Sequence, residues 1–154
     1  MDAVLSEVKG VYIAVGDAGS SPAVILQTGE GRFLPIFIGL WEAISIHNAL
    51  IGEIFPRPLT HDLFVEFFQK FDINLKKLYI DSLEDGIYYA RMILVCGDHE
   101  TCLDCRPSDG IAISIRTKAE VFVDHGVVES SSQPSQDLPR LIDINEYFVD
   151  GGRV

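Results

Sequence analysis

Hydrophobic positions along this chain recur in two periods, every second residue and every third or fourth, and the switches between them mark the elements. Residues 4–15 alternate weakly through Val4, Val8, Val11, Ile13 and Val15, which predicts a long strand. The stretch GDAGSSP, residues 16–22, reads as a loop. Residues 23–27 and 32–38 predict two strands joined by a turn at 28–31, a hairpin ended by Gly39. From Leu40 to Ile51 the period turns helical: Leu40, Ala43, Ile44, His47, Leu50 and Ile51 share one face, opposite Glu42, Ser45 and Ala49. Gly52 supplies the C-terminal stop. FPRPL, residues 55–59, cannot continue a helix through two prolines. A second helix is expected over 60–71, with Leu63, Phe64, Phe67, Phe68 and Phe71 apolar and Asp62, Glu66 and Gln69 wet. Thr60 is the expected N-cap, and Leu59 with Phe64 a hydrophobic staple.

Residues 74–83 and 87–96 are β-rich runs on either side of Asp85-Gly86, a hairpin signal. A turn at 97–100 leads to a strand over 101–106. Pro107 then sets φ near the helical value and lacks an N–H to leave unsatisfied, so it suits a first helical position. In the helix that follows, Gly110, Ile111, Ile113, Ser114 and Ile115 leave only Asp109, Ala112 and Arg116 as a polar stripe, the pattern of a buried helix. Residues 120–123 return to strand. ESSSQPSQD, residues 129–137, reads as a mobile linker, and a short helix is expected around 145–148. The sum predicts an α+β fold: a mixed, mostly antiparallel sheet of about six to seven strands, one buried helix and two further helices packed on it. Residues 1–126 form the expected domain, and 127–154 a Ser-rich linker with a short C-terminal segment.

At 154 residues and 47% apolar content the chain can bury the core of one ordinary globular domain. Its formal charge of −11 opposes sequence-independent binding to nucleic acid, although a local basic or metal-charged cleft stays compatible with it. Cys96, Cys102 and Cys105 are an odd number without a secretory leader, which argues against a disulfide framework and for a reducing cytoplasm. Cys102 and Cys105 lie three apart on a strand and so face opposite ways; they are expected to be buried or half-buried thiols, not a zinc pair. No apolar run reaches the ~18 residues of a membrane span. P-loop and G-x-S-x-G motifs are missing from the sequence.

The chemistry gathers at an echo. Arg57-Pro58-Leu59-Thr60-His61-Asp62 and Arg106-Pro107-Ser108-Asp109 each pair Arg-Pro with a hydroxyl and a carboxylate at a helix start. The two turns are expected to meet around one cleft. Such a junction suits an anion or a metal, and capping by Asp62 and Asp109, paired with the two arginines, explains the same residues. Glu42 in a first turn reads as a dipole contact. His47 reads as a hydrogen-bonded core histidine, and His99 and His125 as solvated.

Further residues carry a resemblance. Leu34-Pro35-Ile36-Phe37-Ile38-Gly39, Glu42-Ala43, Pro56 to Leu63, Asp85-Gly86 with Tyr89-Ala90, and Asp104 to Ala112 come in the order seen in the bifunctional nuclease domain family, which this chain resembles over about residues 8–123. Gly110 stands where that family usually has alanine. The resemblance implies a compact α+β domain, commonly oligomeric, that cleaves RNA and DNA. Metal-assisted phosphodiester cleavage needs carboxylates, a group that handles a proton, and cations for the phosphate. The candidates are Asp62, Asp104 and Asp109 as ligands of Mg²⁺ or Mn²⁺, His61, Asp62 and Asp109 as catalytic groups, and Arg57 and Arg106 as phosphate clamps. The competing reading is a non-catalytic module that binds an acidic peptide or small anionic ligand. Plentiful Phe and Ile and open sheet edges predict a homodimer or higher homo-oligomer.

Overall fold

In the computed structural model, which describes residues 2–148, the alternating stretches join one sheet. β1 (Ala3–Gly16), β2 (Gly19–Gly29) and β3 (Arg32–Phe37) form an antiparallel meander. The loop expected over 16–22 shrinks to a tight turn, because Gly16 already pairs with Gly19. β4 (Ile73–Glu84), β5 (Ile87–Cys96) and β6 (His99–Cys105) form a second meander. Asp85 and Gly86 turn its first corner with φ of 51° and 79°, the positive values a tight hairpin turn requires. β7 (Glu120–Asp124) joins the halves, antiparallel to β1 and parallel to β4, giving the order β3-β2-β1-β7-β4-β5-β6. The sheet is therefore mixed and mostly antiparallel, as the pattern predicts.

α1 (Leu40–Ile51), α2 (Thr60–Lys70) and α3 (Pro107–Thr117) pack together on this sheet. α1 ends at Gly52, whose left-handed φ of 70° glycine adopts at the least cost. α3 is the buried helix: Ile111 and Ala112 are fully enclosed, and its partners are α1, α2, β4 and β5. A Cβ at Gly110 would run into Leu78 Cδ1 and stand 3.1 Å from Cys105 Sγ. Alanine at this position would require the end of the Leu78 side chain to shift. One core of Leu26, Leu34, Ile46, Leu78, Met92 and Ile111 fills the space between sheet and helices.

Three further expectations fail. α2 begins with Leu59, not Thr60, as N-cap; the carboxylate of Asp62 reaches back to accept from the Leu59 N–H at 3.2 Å. Its apolar face is not interior: only Phe68 is buried, while Leu63, Phe64, Phe67 and Phe71 stay exposed, since α2 touches α3 and β4 along one edge only. The stretch read as a mobile linker is pinned. α4 (His125–Ser131) covers its start, Phe33 and Gln133 exchange backbone hydrogen bonds, and Arg32 donates to Ser132. Beyond it β8 (Arg140–Asp143) pairs with β1, and α5 (Ile144–Glu146) seats Ile144 in the core. Polar composition misled here because backbone pairing, blind to side-chain type, holds the segment. No helix among the described residues is long and apolar enough to cross a membrane.

Candidate active site

Three helices deliver polar side chains to one junction. On α1, Glu42 and Ser45 lie three residues apart and share a face. The first turn of α2 supplies His61 and Asp62. Pro107 starts α3 abruptly, which leaves Arg106 as its N-cap and Asp109 in its first turn, with Arg116 two turns further along the same stripe.

These groups form one continuous chain of hydrogen bonds. Arg106 donates to Glu42 Oε1 at 3.2 Å and grips Asp109 with two bonds of 2.9 and 3.1 Å. Asp109 Oδ1 lies 2.8 Å from His61 Nε2, and His61 Nδ1 lies 2.6 Å from Ser45 Oγ. Arg116 donates to Ser45 Oγ at 3.2 Å and to Asp62 Oδ1 at 2.8 Å. Because Arg116 already donates to the Ser45 oxygen, the serine proton is free to point at Nδ1. A neutral His61 then carries its own proton on Nε2, facing Asp109.

Burial pushes the Asp109 carboxyl up, but hydrogen bonds from Arg106 and His61 outweigh it and hold the group below its ordinary value. Asp62 follows the same balance: burial raises it, and Arg116 with the Leu59 N–H brings it down. Asp109 in turn raises Arg106. Both carboxylates are ionised at neutral pH. Beneath them the Cys105 thiol is pushed up to about 12, by burial first and then by Asp109 and Asp104. A thiol so hard to ionise is a poor nucleophile.

The chain of polar groups opens on a cavity of about 770 Å³, whose wall includes Trp41, Ser45, Phe55, His61, Arg106 and Asp109. Residues 24–136 match the bifunctional nuclease domain. The chain belongs to that family. An uncharacterised protein of Mycobacterium tuberculosis is 35% identical over 125 residues, 80% of this chain and 74% of that protein. Bifunctional nuclease 2 of Oryza sativa subsp. japonica is 25% identical over 132 residues, 82% of this chain but 41% of its own length. Bifunctional nuclease 1 of Arabidopsis thaliana is 26% identical over 112 residues, 70% of this chain and 34% of its own length.

In this bifunctional nuclease domain the two Arg-Pro turns meet only in part. His61, Arg106 and Asp109 share the cleft, and Asp62 joins them through Arg116 and Ser45. Arg57 is exposed in the bend before α2 and does not line the cavity. Asp104 sits on β6 next to Cys105, so the alternation of the strand turns it to the opposite sheet face. Among the described residues no three His, Cys, Asp or Glu groups come together to share a metal ion. The set Asp62, Asp104 and Asp109 does not fit Mg²⁺ or Mn²⁺ as placed, because arginines already neutralise two members and the third faces away.

Sequence reasoning missed Ser45 and Arg116 as members of the site and gave Glu42 only a dipole role. Their signals were present as spacings: Glu42 and Ser45 one turn apart, Asp109 and Arg116 two turns apart. Of the two thiols expected to be covered, Cys105 is half-buried and Cys102 is exposed; Cys96 is exposed as well.

Proposed function

We propose that this cleft binds single-stranded RNA or DNA and hydrolyses its phosphodiester bonds, with His61 moving the proton and Arg106 meeting the phosphate. The observation that carries the reading is the grip on His61. Its side chain is 12% exposed and is held at both ring nitrogens, beside an Arg106 side chain that is 63% exposed. A histidine fixed by a carboxylate at one nitrogen is arranged to take a proton at the other. Arg106 uses one N–H of each terminal nitrogen on Glu42 and Asp109 and keeps the second for a ligand oxygen.

The chain's acidity disfavours a long electrostatic track on duplex. A single strand offers bases to stack instead, and Trp41, 78% exposed on the cavity wall, is the lone tryptophan of the chain and a suitable platform. The test is cleavage of labelled single strands and duplexes by the purified protein, with Mg²⁺, with Mn²⁺ and with chelator. Single strands are cut faster, they quench Trp41 fluorescence, and His61→Ala stops the cleavage. The chelator arm measures cation dependence. Oligonucleotides left intact under all conditions end the nuclease reading and leave the anion-binding module.

We also infer self-association. The uncovered Leu63 and Phe67 of α2, with Phe71 at its C-cap, form an apolar strip that a second copy can bury. Light scattering is expected to return a multiple of the chain mass, and Phe67→Glu to reduce it; a monomer mass for the unmodified protein overturns the inference.

A further inference from the structure

We infer that Ser45 is the nucleophile of this cleft and carries the cleaved phosphate as a covalent ester between two displacements. The inference rests on the phosphodiester reading above but concerns which atom attacks.

Serine inside a helix usually turns its hydroxyl back to the carbonyl four residues earlier. Ser45 sits mid-way along α1, and its hydroxyl points out to His61 Nδ1 at 2.6 Å and Arg116 at 3.2 Å. It therefore occupies the place where a general base holds the group it deprotonates. Asp109 holds the far side of the imidazole at 2.8 Å, which completes a Ser–His–Asp arrangement drawn from three helices in the order Ser45, His61, Asp109. Arg116 places a fixed positive charge against the oxygen that becomes anionic. Its side chain is 11% exposed and is locked by Asp62 and by the carbonyls of Ala112 and Ser45. Water in the same role would have to displace a hydroxyl already in position. Ser45 and Arg106 line the same cavity, so a phosphate that reaches Arg106 enters the space that Ser45 borders.

The step balances. Ser45 Oγ bonds to phosphorus as its proton passes to Nδ1, and the bond from phosphorus to the leaving sugar oxygen breaks. The imidazolium returns that proton to the leaving oxygen, which departs as an alcohol. His61 then takes a proton from a water that attacks the same phosphorus; Ser45 Oγ leaves and regains the proton. One phosphodiester and one water give one phosphomonoester and one alcohol, with no oxidant or reductant.

Two displacements retain configuration at phosphorus, and one inverts it. The decisive measurement is hydrolysis of a single phosphorothioate diastereomer of a dinucleotide in ¹⁸O water by the unmodified protein. Retention is expected, and inversion overturns the inference while leaving the nuclease reading intact. Ser45→Ala should lose about 10³-fold or more in rate, with Trp41 quenching by the oligonucleotide and melting temperature kept. A serine that merely positions His61 would leave the stereochemistry inverted whatever the rate. An aryl fluorophosphonate serves as substrate-independent probe. Labelling at Ser45 in a protein that cuts neither RNA nor DNA supports the nucleophile and removes the nucleic-acid substrate; failure of both labelling and retention removes the nucleophile.

Discussion

Asp109→Asn lowers the cleavage rate by about 10⁴-fold, as replacing the aspartate of a Ser–His–Asp set does elsewhere, while the protein remains folded. Asp109 accepts three hydrogen bonds, two from Arg106 and one from His61 Nε2. An asparagine must turn its NH₂ toward one of those donors. Turned to His61, it forces the imidazole to carry its proton on Nδ1, where it can no longer accept the proton of Ser45. Turned to Arg106, it sets donor against donor. Either way geometry survives and proton transfer fails. The stability cost is about 1–2 kcal/mol, since the side chain keeps 31% exposure and water replaces part of what is lost. The acid side gives a separate check. The native carboxyl is held below its ordinary 3.8, so its contribution is fully present above that value and is lost as pH falls through the lower native one. Melting temperatures of the unmodified protein and Asp109→Asn should therefore converge as pH drops below about 4. A folded Asp109→Asn protein that cleaves at the normal rate removes this residue from the mechanism.

Arg116→Met should cost about 2–4 kcal/mol, near the lower end for breaking a buried pair because Asp62 keeps 31% exposure. One guanidinium joins three helices: it bonds Asp62 on α2, Ser45 on α1 and the Ala112 carbonyl on its own helix. Without it the Asp62 carboxylate stands unpaired beside an apolar methionine. The melting temperature should fall by about 5–15 °C for a domain of this size. Asp62→Asn added to Arg116→Met recovers part of the loss, because the stranded charge has gone; a double-mutant cycle reads the coupling. A single variant that melts within about 1 °C of the unmodified protein shows that the pair holds nothing together.

Much of this architecture is written in local periodicity. Leu40 to Ile51 carries helical spacing with a stop at Gly52, the helix after Pro107 has a clear start, and Asp85-Gly86 marks its hairpin, so these elements and the buried character of α3 are legible. The partners of α2 are not. Leu63, Phe67 and Phe71 form an apolar stripe whatever they face, and a stripe does not say whether its cover lies in the same chain. β8 is hidden for the opposite reason, since Arg140 to Asp143 pair with β1 through backbone groups that leave no mark on side-chain pattern. The site was half legible. Arg-Pro at a helix start exposes Arg106, Asp109 and His61 as candidates. Ser45 and Arg116 look ordinary because a mid-helix serine and a late-helix arginine have common structural uses, and only the packing of three helices brings them to His61. Arg57 fails because a shared dipeptide does not fix where an exposed loop points.

The seam made by β7 also dictates when the cleft comes into being. Each meander closes through neighbours in the chain and can fold early, as local contacts do. Within the sheet the two halves join through the five residues of β7, which pair with β1 on one edge and β4 on the other and follow α3. Ser45 and His61 leave the ribosome well before Arg106, Asp109 and Arg116. A nascent chain therefore holds Ser45 and His61 without Arg116 and Asp109 until α3 is docked and β7 has paired on both sides. The junction of the three helices is therefore assembled late in the order of synthesis, once α3 and β7 have both emerged.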